Sequence, residues 1–175
     1  MLRKLVNAGL KNVCIGIQSM SNKIAKDVFN RSNDNNIYVD FACFINQFNI
    51  IVHNTIILDN PFDTEETLEQ TAEILYKLPF PYILSLFSLS FFPKTALTVR
   101  AIEEGIIDYF EQEQYTSKSL THYYLNFTKI RDSKNFFWQC IIAMNGIIYL
   151  SKSFIKKCEK SKFFRKYPYT LYIMC

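Results

Sequence analysis

IGIQSMSNKIAKDVFNR, residues 15–31, carries the end of an apolar strand directly into a helix. The run Asn12 to Gln18 (NVCIGIQ) is β-branched and apolar, the composition of a buried strand. It ends in Gly16-Ile17-Gln18-Ser19. Ser21 or Asn22 can cap the next element, and residues 23–30 form a helix that closes on Arg31. Upstream, Leu2, Leu5 and Val6 lead into Ala8-Gly9-Leu10, a helix tail with Gly9 as its stop.

The same pattern repeats downstream. Asn35-Asn36 open a helix in which Ile37, Phe41, Phe44, Ile45 and Phe48 recur at helical spacing. Residues 50–58 (IIVHNTIIL) read as a second buried strand, broken by Asp59-Asn60-Pro61. Asp63-Thr64-Glu65-Glu66 resembles a capping box, the following helix keeps Leu68, Ala72, Leu75 and Leu78 on one stripe, and Pro79 ends it. Residues 82–91 (YILSLFSLSF) are a third strand, and Pro93-Lys94-Thr95 turns into a helix that runs to Glu104 and stops at Gly105. Strands and helices alternating at intervals of 30–40 residues predict βαβ units and a parallel sheet. Ligands of such sheets sit at the carboxyl ends of the strands. Those ends are Gln18-Ser19, Leu58-Asp59 and Ser90-Phe91.

The 175 residues suffice for a real core, and a 49% hydrophobic fraction with only four glycines is globular rather than disordered. The net charge of +4 is unevenly spread. Residues 1–115 hold 9 Lys/Arg against 14 Asp/Glu (net −5), and residues 116–175 hold 11 against 2 (net +9). Blocks so different mark different structural units. The basic block suits a solvated face on packed helices, an acidic partner, a phosphate backbone or an anionic membrane surface.

The five cysteines, Cys14, Cys43, Cys140, Cys158 and Cys175, form neither CxxC nor CxxxCxxC. Their odd number and the lack of a signal peptide point to reduced thiols and a cytoplasmic protein. Cys14 on an apolar strand and Cys43 on an apolar helix face are expected in the core. His53 and His122 lie far apart without metal-ligand company, so no metal site is expected.

Beyond residue 105 the pattern is helical, with a short candidate at 120–130 and a long one at 135–158. The apolar stretch Phe136 to Leu150 is too short to span a bilayer and is interrupted by Gln139 and Asn145. It reads as a docked helix, with an interfacial membrane helix as the alternative. The closing stretch, KKCEKSKFFRKYPYTLYIMC, mixes bases with aromatics, which suits nucleic acid but reads better as a frayed tail.

The strand ends also carry chemistry. Gln18 offers a donor and an acceptor for ribose hydroxyls or an amino-acid head group, and Arg31 can fork onto a carboxylate. The order Gly-Ile-Gln-Ser, Asn30-Arg31, Asp59-Asn60-Pro61 and Pro93-Lys94-Thr95 resembles the second half of a radical S-adenosylmethionine (radical SAM) barrel. The likeness is to the coproporphyrinogen-dehydrogenase and cobalamin-binding types, and it covers residues 1 to about 107. It implies that Gln18, with Ser19 at the same strand end, and Arg31 contact SAM. Thr55, on the family's fifth strand, and Ser90, lining the adenine on the sixth, are further contacts it implies. Two motifs depart from the family. Asp59-Asn60-Pro61-Phe62-Asp63-Thr64 stands where many relatives read Gly-x-Pro-Gly-Glu-Thr, and Lys94 replaces the glycine of a Pro-Gly-Thr turn.

The resemblance implies two cofactors, SAM and a [4Fe–4S] cluster, but the three cluster cysteines of the family have no counterpart in this sequence. The expectation is a partial, half radical SAM barrel of about three parallel strands (1–107) followed by a basic, all-α extension (108–175). Its first strand would have an unpaired edge and its inner face no cover. Such a chain reads as a truncated carboxyl-terminal portion, inactive alone, whose partner is an amino-terminal half-barrel on a separate chain. A non-catalytic α/β interaction module is the alternative, its basic helices binding an acidic partner or, through residues 135–166, a membrane surface. Nucleic acid is not the expected partner.

Overall fold

Strands β1 (Asn12–Gln18), β2 (Ile51–Leu58) and β3 (Tyr82–Ser88) lie side by side in that order, all parallel. The computed structural model describes residues 2–32, 34–107 and 133–174. Helices α1 (Leu2–Asn7), α2 (Asn22–Asp27), α3 (Asn35–Asn46), α4 (Glu65–Lys77) and α5 (Ala96–Glu103) alternate with the strands as the βαβ spacing predicts. The helix expected at 120–130, and His122 with it, lie outside the described residues.

Local side-chain chemistry sets the boundaries. Asp34, one residue before the expected start, caps α3 by accepting from the N–H groups of Asn36 and Ile37. The capping box of α4 forms between Thr64 and Thr67, a threonine doing what glutamate usually does. Thr95 caps α5 through the Thr98 N–H. β3 is shorter than the expected 82–91: Leu89 still donates to the Leu58 carbonyl at 2.8 Å, and the chain then leaves the sheet.

The two faces of the sheet differ. Val52, Asn54, Ile56 and Leu58 of β2 are buried, whereas Ile51, His53, Thr55 and Ile57 are half-buried. The register extends this alternation across the sheet. It sets Cys14, His53 and Ile83 in one row of the less buried face, and Gly16, Thr55 and Ser85 in the next. Parallel sheets are usually covered on both faces. Here Ile56 and Leu58 share a core with Ala42 of α3 and Leu68, Ala72 and Leu75 of α4, while Cys14 and Ile83 on the other face are exposed.

The extension completes that core. Helix α6 (Ser133–Met144) buries Phe136, Phe137, Trp138, Ile141 and Ile142 beside α4 and the Tyr82 end of β3. Helices α7 (Lys152–Lys160), α8 (Lys162–Lys166) and α9 (Tyr169–Tyr172) pack around α6. The single helix expected at 135–158 is two helices. Asn145 Nδ2 folds back on the Ile141 carbonyl (2.9 Å), the Asn145 carbonyl accepts from Tyr82 Oη (2.7 Å), and Gly146 presses against Leu84, where a Cβ would come within 3.0 Å. The closing stretch is not frayed either: the Tyr169 ring stacks on Phe136 at 4.4 Å and Leu171 is fully buried.

Two core assignments fail. Cys14 and Cys43 are both exposed, Cys14 because it lies on the less buried sheet face. Cys43 is out because α3 buries the side carrying Ala42 and Ile45, which also leaves Ile37, Phe41 and Phe44 exposed.

Candidate functional site

The carboxyl ends of the strands are held in unusual backbone geometry. Among the described residues, Gln18 (φ 63°) ends β1, Asp59 (φ 57°) follows β2, Asn30 (φ 49°) precedes Arg31, Lys94 (φ 64°) sits in the turn before α5, and Asn49 (φ 56°) lies at the opposite end, before β2. Non-glycine residues avoid this left-handed region, and such strain gathers at functional sites. Lys94 therefore holds a conformation that glycine adopts freely, at a cost in backbone strain.

Gly16 is the hub of the site. The register slips between Gly16 and Gln18, and the Gln18 side chain folds back over Gly16 so closely that a Cβ there would lie 2.7 Å from Gln18 Nε2. Only glycine admits this approach. Arg31 Nη1 donates to the Gly16 carbonyl at 2.6 Å, while the Arg31 backbone N–H is anchored on the Ala25 carbonyl at 2.8 Å. Thr55 is the register partner of Gly16, and its Oγ1 donates to the Ile15 carbonyl at 3.4 Å. Gln18, Arg31 and Thr55, singled out from sequence, thus converge on one glycine. Gln18 Oε1 is buried without a hydrogen-bond partner, an acceptor whose desolvation is uncompensated.

Ser19 and Ser90 stand apart. Ser19 is buried and its Oγ accepts from the Ser21 N–H at 3.1 Å, which fixes the turn into α2. Ser90 lies two residues past β3, half-buried, and makes no hydrogen bond to the Gly16 group.

One polar pair escaped the sequence reading. His53 Nε2 and Ser85 Oγ lie 2.6 Å apart on the less buried sheet face, beside the Gly16–Thr55 row. Their only sequence signal is polarity inside apolar strands. Asp59 accepts from Ser88 Oγ at 2.5 Å and from Gln139 Nε2 of α6 at 2.6 Å. Burial pushes the Asp63 carboxyl up to about 6, partly offset by the hydrogen bond from Thr67 Oγ1 at 2.7 Å.

No group of three or more His, Cys, Asp or Glu among the described residues could hold a metal ion. Cys14, Cys43, Cys140 and Cys158 sit on four separate elements, and among the described residues they form no group that fits an iron–sulfur cluster. No described helix is long and apolar enough to cross a membrane. The chain matches no protein-family model and no curated protein.

A second surface lies on the extension. Lys152, Lys156, Lys157 and Lys160 of α7 line a cavity of about 400 Å3 with Tyr76 and Ser153. Lys152 Nζ is bound to the Tyr76 and Leu78 carbonyls at the end of α4, and partial burial lowers its pKa. Lys156 lies over the Tyr76 ring at 4.9 Å.

Proposed function

We propose that residues 1–107 are the carboxyl-terminal half of a radical SAM barrel, and that the groups around Gly16 are a half-site for SAM. The observation that carries this reading is the convergence of Gln18 and Arg31 on Gly16, beside Thr55 at a strand's carboxyl end. Arg31 would fork onto the methionyl carboxylate, and Gln18, with its unpartnered Oε1, would take ribose hydroxyls. Thr55 would contact SAM from the next strand, and Ser90 would line the adenine. The polar His53–Ser85 pair on the less buried sheet face suits a barrel interior better than a packed core.

SAM supplies a 5′-deoxyadenosyl radical only beside a reduced [4Fe–4S] cluster. Since the cysteines here do not fit one, no radical step is assigned to this chain. The cluster would come from an amino-terminal half-barrel on a separate chain, and this chain alone is inactive.

Calorimetric titration with SAM tests the half-site. Wild type binds and Arg31→Ala does not; a folded wild-type protein that gives no heat rejects the reading. The lysine row on α7 favours a second reading, a non-catalytic module for an acidic partner or anionic surface. Flotation with anionic vesicles, lost at high salt, is the result that reading expects.

A further inference from the structure

Two cavities of opposite chemistry meet at Ser32. The first, of about 420 Å3, has apolar walls from Ile15, Ile37 and Phe41, and from Tyr38, whose hydroxyl is held by Asn54. The second, of about 430 Å3, is lined by Asn22, Lys26, Asn30 and Arg31. Ser32 lines both. They also touch through Arg31 of the second, which donates to the carbonyl of Gly16 in the first at 2.6 Å. Each cavity falls in the size range of small-molecule sites, about 300–1,000 Å3.

Charge is partitioned between them. Two cations, Lys26 and Arg31, line the second cavity with neutral hydrogen-bonding side chains, and among the described residues no carboxylate does. The acid of the first cavity is Asp34. Its Oδ1 caps α3 through the Asn36 and Ile37 N–H groups, which leaves Oδ2 as an acceptor for a ligand.

We propose that the two cavities together bind an adenine or guanine mononucleotide, its base on Ile37 and Phe41 and its phosphate on Lys26 and Arg31. A phosphate monoester needs cations and neutral donors without a competing carboxylate, the lining of the second cavity. The base needs an apolar wall for its flat face and an acceptor for its exocyclic amine. Ile37 and Phe41, one helical turn apart, supply the wall, and Asp34 Oδ2 supplies the acceptor. Simpler ligands fit less well. A bare phosphate leaves the apolar cavity empty, and an acyl chain there would desolvate Asp34 without giving it a donor. The site goes beyond the SAM half-site, with which it shares Arg31, and does not rest on it.

The test titrates the full chain with adenosine monophosphate, adenosine and ribose 5-phosphate, followed by ligand NMR line widths. Wild type is compared with Lys26→Ala, Phe41→Ser and Asp34→Asn, all exposed positions, with circular dichroism as the check on folding. Wild type should bind the mononucleotide at least tenfold more tightly than either fragment. Lys26→Ala should weaken the mononucleotide about tenfold, the size of one hydrogen bond to a charged group, and leave adenosine unchanged. Phe41→Ser should weaken the mononucleotide and adenosine about fivefold and leave ribose 5-phosphate unchanged. Asp34→Asn keeps the cap through its amide oxygen and sets an N–H against the amine, so both base-bearing ligands should lose about fivefold. No mononucleotide binding by folded wild type overturns the proposal. So does ribose 5-phosphate binding as tightly as the mononucleotide, which would mean an anion site only. Indifference of the mononucleotide to Lys26→Ala, or to both Phe41→Ser and Asp34→Asn, overturns it as well. SAM titration is a separate measurement: no SAM binding alongside the expected nucleotide series rejects the half-site and leaves the nucleotide site standing.

Discussion

Gln139 on α6 donates to the Asp59 carboxylate at 2.6 Å, joining residues eighty positions apart. The same carboxylate accepts from Ser88, so the ends of β2 and β3 and the basic extension meet at one group. The extension is thereby part of the frame that holds the strand ends, and its core is continuous with that of the α/β part.

Trp138 tests that continuity. Its side chain is 0% exposed, in the middle of α6. Trp138→Ala should cost about 3–5 kcal/mol through lost burial and the cavity left behind. Urea denaturation followed by circular dichroism should show one transition at lower urea concentration. A first half that unfolds unchanged would mean that α6 is an independent unit.

Gly16→Ala places a Cβ 2.7 Å from Gln18 Nε2, so the end of that side chain must move away. The fold should survive, with a loss of about 1 kcal/mol and weakened SAM binding. Adding Gln18→Ala should recover the stability but not the affinity. Urea titration of the single and double variants reads the first; calorimetry reads the second.

Asp63 makes a pH prediction. Its folded pKa, about 6, stands above the ordinary value of 3.8, so the folded state holds its proton more tightly than the unfolded state. Stability from this group therefore rises as pH falls from about 6 toward 3.8, and is flat above that window. Asp63→Asn mimics the protonated form. It should be more stable than wild type at pH 7, by up to about 2 kcal/mol, and the gap should close by pH 4. Urea unfolding of both proteins across this range checks the sign; a gap that widens on acidification would show that the carboxylate is the favoured folded form.

Lys152 and Lys156 are neighbours on α7 with different work. Lys152 Nζ satisfies carbonyls at the end of α4, whereas exposed Lys156 lies over the Tyr76 ring. Lys152→Met should destabilise by about 1–2 kcal/mol, since two carbonyls lose their donor. Lys156→Met should stay within about 0.5 kcal/mol of wild type. Thermal unfolding of the two variants is the comparison to make.

The strands were legible because NVCIGIQ, IIVHNTIIL and YILSLFS are short runs rich in β-branched and aliphatic residues. Gln18 and Arg31 were legible for a local reason: they flank one short helix, and a strand–helix unit keeps them near each other. His53 and Ser85 were not, because their meeting depends on the register between two strands, set 32 positions apart. Ile37, Phe41 and Phe44 recur at helical spacing and are nevertheless exposed, because helical periodicity reports an apolar face, not whether anything covers it. The break after α6 was hidden for a different reason: Asn145 leaves the helix to meet Tyr82, a contact invisible within its own segment.

The packing of α6 also sets an order of events during synthesis. Tyr82, Leu84 and Leu86 emerge from the ribosome with the sheet, but the helix that covers them begins at Ser133, and its own outer side waits for Tyr169 and Leu171. Through that interval the side chains that α6 covers stay open to solvent beside α4, the kind of surface that holding chaperones bind.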